Sequence, residues 1–347
     1  MTSFHSLEIS DIQSLTKDAI AISFVIPDKL ASDFQFQHGQ FVQLQTDIDG
    51  ESVMRSYSIC SAPYERKLTV GIKRVEGGVF SNFANDSLRV SGQLSVSEPQ
   101  GVFTHQLDSS QKKQYLLVAA GSGITPILSI LKMTLASETL SQCVLVYGNK
   151  NPESAMFSDE LKQLAERYVD RLELVSVFSK NGESSLGSDF KGRITPTMVD
   201  QIVAGKAIDE FFVCGPKEMS ISLYDHMCAK GLSDEKAHIE LFEADDILSE
   251  ESQTANAKVT VKIDGDEFAF DYDDSTRSIL DMALDHDPDL PYGCQNGSCG
   301  SCQAKVVSGS VEMEVNYALS QSEIEEGLVL VCQSRPTSNK VEIDYDA

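Results

Sequence analysis

The chain has 347 residues, 28 basic against 53 acidic, a net charge of −25 at neutral pH and 41% hydrophobic residues. That length holds two or three domains with separate cores, and the charge argues against nucleic acid and anionic membranes as partners. The sequence starts with neither a basic nor an apolar leader segment, so its eight cysteines are expected in the reducing cytoplasm, as ligands or buried thiols and not as disulfides.

Up to about Leu107, short β-rich runs at Ile20–Ile26, Phe41–Thr46, Lys67–Arg74 and Gly92–Pro99 alternate with turn residues. They predict a small antiparallel β-barrel over residues 1–108. From Gln114 strands alternate with helical stretches: Tyr115–Ala120 then Ile124–Leu135, Cys143–Tyr147 then Ser154–Tyr168, Leu172–Phe178, and Phe211–Cys214 then Lys217–Lys230. This predicts a parallel sheet with helical crossovers, an α/β domain over residues 109–242. The most apolar stretch, Tyr115–Met133, carries Gly121, Ser122, Gly123 and Pro126 in its middle, so it reads as strand, loop and helix and not as a membrane span. Residues 243–257 are acidic and polar, too poor in apolar groups to fold alone, and are expected to be a linker. Residues 258–347 predict a compact α+β unit: a hairpin (Lys258–Ile263, Glu267–Tyr272), a helix (Ser278–Asp285), a cysteine-rich loop and a strand from Gln303. This unit holds 6 basic and 18 acidic residues, 6 − 18 = −12, about half of the charge of the whole chain.

Cys294, Cys299, Cys302 and Cys332 follow C-x4-C-x2-C…C, the spacing of a plant-type [2Fe–2S] loop. Gly293, Gly297 and Gly300 among them let the backbone turn tightly and aim N–H groups at sulfur. A structural zinc site is the alternative, although such sites usually pair two C-x2-C knuckles or one knuckle with histidines; a disulfide pair is the other. Cys60, Cys143 and Cys228 have no such context and read as structural, and the six histidines show no metal-ligand spacing.

Two further motifs suit nucleotides. Arg55-Ser56-Tyr57-Ser58, after a strand, and Gly77-Gly78-Val79-Phe80-Ser81 can together neutralise a pyrophosphate, pack a flat ring and hydrogen-bond its edge. Taken alone, the first also fits an ordinary strand end with a surface arginine and a half-buried tyrosine. Val118–Pro126 runs from strand through a glycine turn into a helix, whose first amides suit a dinucleotide pyrophosphate, though Pro126 departs from G-x-G-x-x-G at its last position. A merely structural turn is the other reading. Phe212-Val213-Cys214-Gly215-Pro216 ends a strand with a thiol, which is either a site residue or a small buried hydrophobe. No acid follows the strand Val144–Tyr147, where NADH-selective folds place one; Gly148-Asn149-Lys150 stands there instead.

In this order the motifs resemble the ferredoxin–NADP reductase superfamily with a ferredoxin module at the C-terminus, over essentially the whole chain. The segments Val311–Leu319 and Val331–Pro336 are similar to the reductase components of phenylacetyl-coenzyme A epoxidases and ketosteroid hydroxylases. The resemblance implies that Arg55, Tyr57 and Ser58 meet the FAD phosphate, ring side and hydride-accepting nitrogen, and that Gly78, Phe80 and Ser81 surround the pyrophosphate. It places Gly121, Gly123 and Thr125 on the nicotinamide nucleotide, Cys214 and Gly215 near the reacting carbon, and Phe242 over the flavin, with Ser58 and Cys214 as the catalytic pair. Ser179 and Lys180 fall where NADP-dependent relatives hold the 2′-phosphate, with lysine in place of arginine, which predicts a preference for NADPH with NADH also accepted; the alternative makes Lys150 and Lys180 plain loop residues. The implied activity is an NAD(P)H oxidoreductase that passes electrons through FAD and [2Fe–2S] to an oxygenase with a basic docking face. A desaturase or hybrid-cluster protein as acceptor, or a non-enzymatic electron relay, are the alternatives.

Overall fold

The computed structural model describes residues 3–180, 190–242, 257–287 and 290–347. The expected linker lies outside the described residues, apart from Ala257, which begins a strand. Residues 4–242 form one compact unit and the C-terminal residues another.

The first sheet contains β1 (Phe4–Thr16), β2 (Ala19–Val25), β3 (Phe41–Ile48), β4 (Glu51–Ser58), β5 (Leu68–Lys73) and β6 (Gln93–Ser97), in the antiparallel order β4-β3-β6-β1-β2-β5. An Ile59–Val70 bridge joins its two edges into a barrel around Leu7, Ile22, Leu44, Val70 and Phe80. Asp49 and Gly50 both have positive φ (57° and 87°), the turn geometry that suits the right-handed twist of a two-residue hairpin. That turn sets the β3–β4 register, with Phe41 opposite Ser58 and Val42 opposite Tyr57. Arg55–Ser58 is therefore the last half of a strand and does not follow one. Helix α1 (Val79–Ser87) packs against β5 and buries Phe80 and Ala84 in the barrel.

The second sheet is parallel, in the order β10-β9-β8-β7-β11-β12: β7 (Gln114–Ala120), β8 (Gln142–Asn149), β9 (Leu172–Phe178), β10 (Phe190–Lys191), β11 (Glu210–Gly215) and β12 (Ala237–Leu241). Helices α2 (Ile124–Ser137), α3 (Ser158–Arg167), α4 (Pro196–Ile202) and α5 (Lys217–Ala229) make the crossovers. The central β7 is apolar along most of its length because helices cover both faces of such a sheet. The strand order reverses at β7, and in open α/β sheets ligands bind at the carboxyl ends of the strands beside such a switch point.

Barrel and sheet meet along a seam where an apolar core that holds Ala19, Ala21, Cys60 and Phe103 with Ile127, Leu128, Met156 and Phe212 is flanked by buried polar groups. On one side Lys132 of α2, 5% exposed, pairs with Glu65 at 3.2 Å and with Glu160, and Ser129 Oγ donates to the Ser61 carbonyl at 2.7 Å. On the other, a histidine pair links the barrel to the sheet: His38 and His105 lie 3.1 Å apart, His105 meets the Tyr115 hydroxyl at 3.2 Å, and that hydroxyl donates to Glu138 at 2.9 Å.

In the C-terminal unit β13 (Ala257–Ile263), β14 (Asp266–Tyr272), β15 (Gln303–Ser308), β17 (Leu328–Leu330) and β19 (Lys340–Asp344) form a mixed sheet, β14-β13-β19-β15-β17. A small ladder pairs β16 (Val311–Met313) with β18 (Ser334–Pro336). Helix α6 (Ile279–Ala283) is shorter than expected; Ser278 and Asp281 cap it reciprocally, and its apolar face enters a core with Val259, Tyr272 and Leu330. A last short helix, α7 (Gln321–Glu325), leads into β17.

Burial, reinforced by His238, lowers His38 to about 4, and burial with His38, His238 and Lys113 lowers His105 to about 2. Both rings are neutral in the folded chain and take up a proton on unfolding below about 6.5, so the unfolded state binds more protons. Stability of this unit should fall as pH drops from about 6.5, through about 4 for His38 and on to about 2 for His105, and His105→Gln should flatten that slope. Thermal melts against pH check this; equal slopes for the two proteins would contradict it.

Candidate active site and metal centre

The carboxyl ends of β11 and β12 and the end of β4 bring three side chains together. Cys214 lies directly opposite Glu240 in the parallel β11–β12 ladder. The Ser58 hydroxyl donates to Glu240 Oε2 at 3.1 Å, and all three residues are buried. Burial, then the Glu240 carboxylate, raises Cys214 well above the usual thiol range, so it is a neutral thiol and not a nucleophilic thiolate. Glu240 was not singled out in the sequence. It could have been, because an acid inside the otherwise mostly apolar run Ile239–Phe242 is unusual in a buried strand.

The nucleotide loop is pressed against the same place. A Cβ on Gly123 would fall 2.1 Å from the Cys214 carbonyl oxygen, so only glycine lets α2 begin there. Gly121 takes φ of +57°, and a Cβ on it would meet no protein atom within 4 Å, which leaves bare backbone for a ligand. The Tyr147 hydroxyl donates to the Gly121 carbonyl at 3.1 Å and steadies the loop. Gly215 packs against Ala120 and Met219. Thr125 is turned away from the loop mouth: its hydroxyl donates to the Ser122 carbonyl at 3.0 Å, and its methyl would lie 2.7 Å from a Cβ on Gly71 of the barrel.

In the barrel, Tyr57 is half-buried beside Phe80, with ring centroids 5.6 Å apart. Burial pushes its hydroxyl up, against a smaller opposing effect of Arg55, which is exposed on the same strand. Gly78 caps α1, and a Cβ there would sit 2.7 Å from Ser81 Oγ. The side chains of Phe80 and Ser81 are engaged internally, Phe80 in the core and Ser81 Oγ accepting from the Val75 amide at 3.1 Å. What this turn offers an anion is the set of first-turn amides of a nine-residue helix. Phe242, 43% exposed, directly follows β12.

At the far edge of the sheet the Ser179 and Lys180 amides donate to the carbonyls of Asn149 and Lys150, at 3.0 and 2.8 Å. Lys150, Lys180, Lys191 and Arg193 are all exposed there, and Lys73 of the barrel is close enough for Lys150 to act on its charge. Lys73 and Lys191 were not among the residues expected.

The metal centre is in the C-terminal unit. Positive φ at Gln295, Gly297 and Gly300 coils residues 294–302 tightly, and a Cβ on Gly297 would lie 2.9 Å from the Val315 carbonyl oxygen. The Asn296 and Ser298 amides donate to Cys294 Sγ, both at 3.4 Å, and the Cys294 amide donates to Cys299 Sγ at 3.3 Å. Cys294 interacts most strongly with the Cys299 thiol, and Cys302 with the Cys332 thiol, which sorts the sulfurs into two pairs. Within the first pair, the Cys299 thiol, outweighing burial, holds Cys294 down to about 5. A single tetrahedral zinc would draw all four sulfurs to within about 3.8 Å of one another. Among the described residues no three of these sulfurs lie within 4.8 Å of one another. Two pairs fit two irons, and the amides aimed at sulfur fit the negative charge of an iron–sulfur cluster.

Family models match all three parts: an oxidoreductase FAD-binding domain over residues 6–105, an oxidoreductase NAD-binding domain over 117–223, and a 2Fe-2S iron-sulfur cluster binding domain over 261–337. One of the subunits of the 1,2-phenylacetyl-CoA epoxidase from Escherichia coli is 38% identical, covering 100% of this chain and 99% of its own. The ferredoxin reductase component of 3-ketosteroid-9-alpha-monooxygenase from Mycolicibacterium smegmatis is 34% identical over 98% of this chain and 96% of its own. A solved structure of phthalate dioxygenase reductase, 23% identical, covers 99% of this chain and 98% of that one with a TM-score of 0.55, and has the same fold. The chain belongs to the ferredoxin–NADP reductase superfamily, in its group of oxidoreductase reductase components that carry FAD-, nicotinamide- and [2Fe–2S]-binding domains in one polypeptide.

Proposed function

We propose that this chain is the NADPH-dependent reductase of an oxygenase, and that Ser58, Glu240 and Cys214 form the site where nicotinamide meets flavin. The observation that carries the reading is the 3.1 Å hydrogen bond from Ser58, at the end of the flavin-domain strand β4, to Glu240, which sits beside Cys214 on the nicotinamide-domain sheet. When bound, FAD supplies the conversion between two-electron hydride chemistry and one-electron transfer to the iron–sulfur centre. The protein's part is placement. Glu240 accepts the hydrogen bond from Ser58 and so fixes the hydroxyl's rotamer, and the neutral thiol of Cys214 adds no charge where hydride must pass. Gly121 brings bare backbone to the nucleotide and Gly123 lets that loop lie against Cys214, Arg55 and the first-turn amides of α1 offer positive charge to the FAD phosphates, and Tyr57 and Phe242 offer aromatic faces.

The exposed cations Lys150, Lys180, Lys191 and Arg193 near the ends of β8, β9 and β10 favour a 2′-phosphate, as does the run Gly148-Asn149-Lys150, which holds no acid. A reducing, cytoplasmic setting suits four cysteines that ligate a cluster and four that remain thiols. The charge of −12 on the cluster domain favours an acceptor with a basic face. The named relatives point to an epoxidase- or hydroxylase-type oxygenase as that acceptor.

Cys299→Ser should abolish the cluster's EPR signal and electron delivery to the oxygenase. Reduction of a flavin-level acceptor such as ferricyanide should continue, because the flavin unit and the cluster unit have separate cores. Loss of both activities would contradict the scheme. Glu240→Gln should slow flavin reduction by NADPH on the order of tenfold to a hundredfold with FAD retained, measured by stopped flow; an unchanged rate would remove Glu240 from the site. Lys180→Glu should raise KM for NADPH by about tenfold, as one phosphate contact is worth, and leave NADH little changed. Equal effects on the two coenzymes in steady-state kinetics would return Lys180 to a plain loop residue.

A further inference from the structure

Just past β19 lies Tyr345, a side chain that electron transfer, as described above, leaves unused. β19 runs antiparallel to β15, with Ile343 opposite Val306 and Asp344 opposite Lys305. Continued one residue past the end of β19, that register brings Tyr345 opposite Ala304, two residues after Cys302. Opposed residues in a ladder share a face, as do residues two apart, so Tyr345, Ala304 and Cys302 belong to the same side of the sheet. Cys302 and Ala304 belong to the core that also holds Cys332, and Tyr345, partly buried, packs against it.

The backbone around Tyr345 is pinned. Its amide donates to the Lys262 carbonyl at 2.9 Å, and the next side chain, Asp346, accepts from the Asp264 and Gly265 amides at 2.8 and 3.0 Å. The Tyr345 hydroxyl is buried and has no hydrogen-bond partner among the described residues. A buried hydroxyl without a partner is unfavourable, and native chains rarely keep one unless something else satisfies it.

We propose that the Tyr345 hydroxyl donates a hydrogen bond to sulfur on the Cys302–Cys332 side of the iron–sulfur centre and thereby raises its reduction potential. The inference rests on the assignment of a [2Fe–2S] cluster to the four cysteines. A hydrogen bond to sulfur stabilises the reduced, more negative state more than the oxidised one, so removing the donor lowers the potential.

The test is an EPR-monitored redox titration of the full-length holoprotein, wild type against Tyr345→Phe, with iron and acid-labile sulfide measured on each sample. The phenylalanine variant should shift the one-electron equilibrium by about three- to tenfold towards the oxidised form, about 30 to 60 mV more negative. A 3-fluorotyrosine placed at the same position, a stronger donor, should move the potential the opposite way, and this arm decides the matter if the phenylalanine variant loses its cluster. Potentials and g-values unchanged in both proteins, or shifted in the same direction, overturn the proposal. Wild-type protein lacking the iron and sulfide of one cluster would instead overturn the cluster assignment on which it rests.

Discussion

Ser58 and Glu240 are 182 positions apart in the chain, yet one donates to the other at 3.1 Å across the junction of barrel and parallel sheet. Hydride transfer tolerates little misplacement, since reacting atoms must approach to about 3–3.5 Å. Two sheets built on different strand orders must therefore meet in one register. Apolar contact alone is non-directional and would permit sliding. The seam instead places buried polar groups where a shift would leave them unpaired: Lys132 between Glu65 and Glu160, Ser129 on the Ser61 carbonyl, and the His38–His105–Tyr115–Glu138 chain. Breaking a buried pair by losing one partner costs about 3–5 kcal/mol, so the arrangement is strongly specified even where it adds little net stability.

The same junction explains which glycines are indispensable. Gly123 lets α2 start in contact with the Cys214 carbonyl, and Gly71 lets the barrel accept Thr125. The thiol, the carboxylate and the bare loop thus share one small region because the backbones approach more closely than any side chain would allow. In the cluster unit a different economy operates: backbone turned through positive φ at three positions aims amides at sulfur, and sulfurs meet in pairs and not as a foursome. Pairing suits a binuclear centre that moves one electron.

Much of this was legible in the sequence, and for identifiable reasons. The four cysteines and the glycine turn before α2 are local patterns whose chemistry depends on spacing. The alternation of apolar strands and helices from Gln114 reports a parallel sheet because each strand is buried on both faces. The Asp264-Gly265 hairpin was visible in the same way, as was the β2, β3, β5 and β6 framework. β1 was not, because bulges between Ile9 and Asp11 and between Ser14 and Thr16 break its period of two. β4 was read only as what precedes Arg55, because this end strand carries mostly exposed polar residues; the Asp49-Gly50 turn was the overlooked signal. The partnership of Ser58 with Glu240 lies beyond any local pattern, since it exists only once two domains have met. Thr125 shows the reverse: a hydroxyl in the right motif that the fold uses for internal packing.

The account depends on Ser58 and Glu240 acting as one unit across the junction, and a double-mutant cycle on flavin reduction reads that directly. Ser58→Ala, Glu240→Gln and the double variant would each be mixed anaerobically with NADPH, with FAD content and folding matched beforehand. If the hydrogen bond is the unit of function, the double variant is little slower than the worse single variant, a coupling of about 0.5–3 kcal/mol. Effects that simply add would show two independent residues and contradict the account.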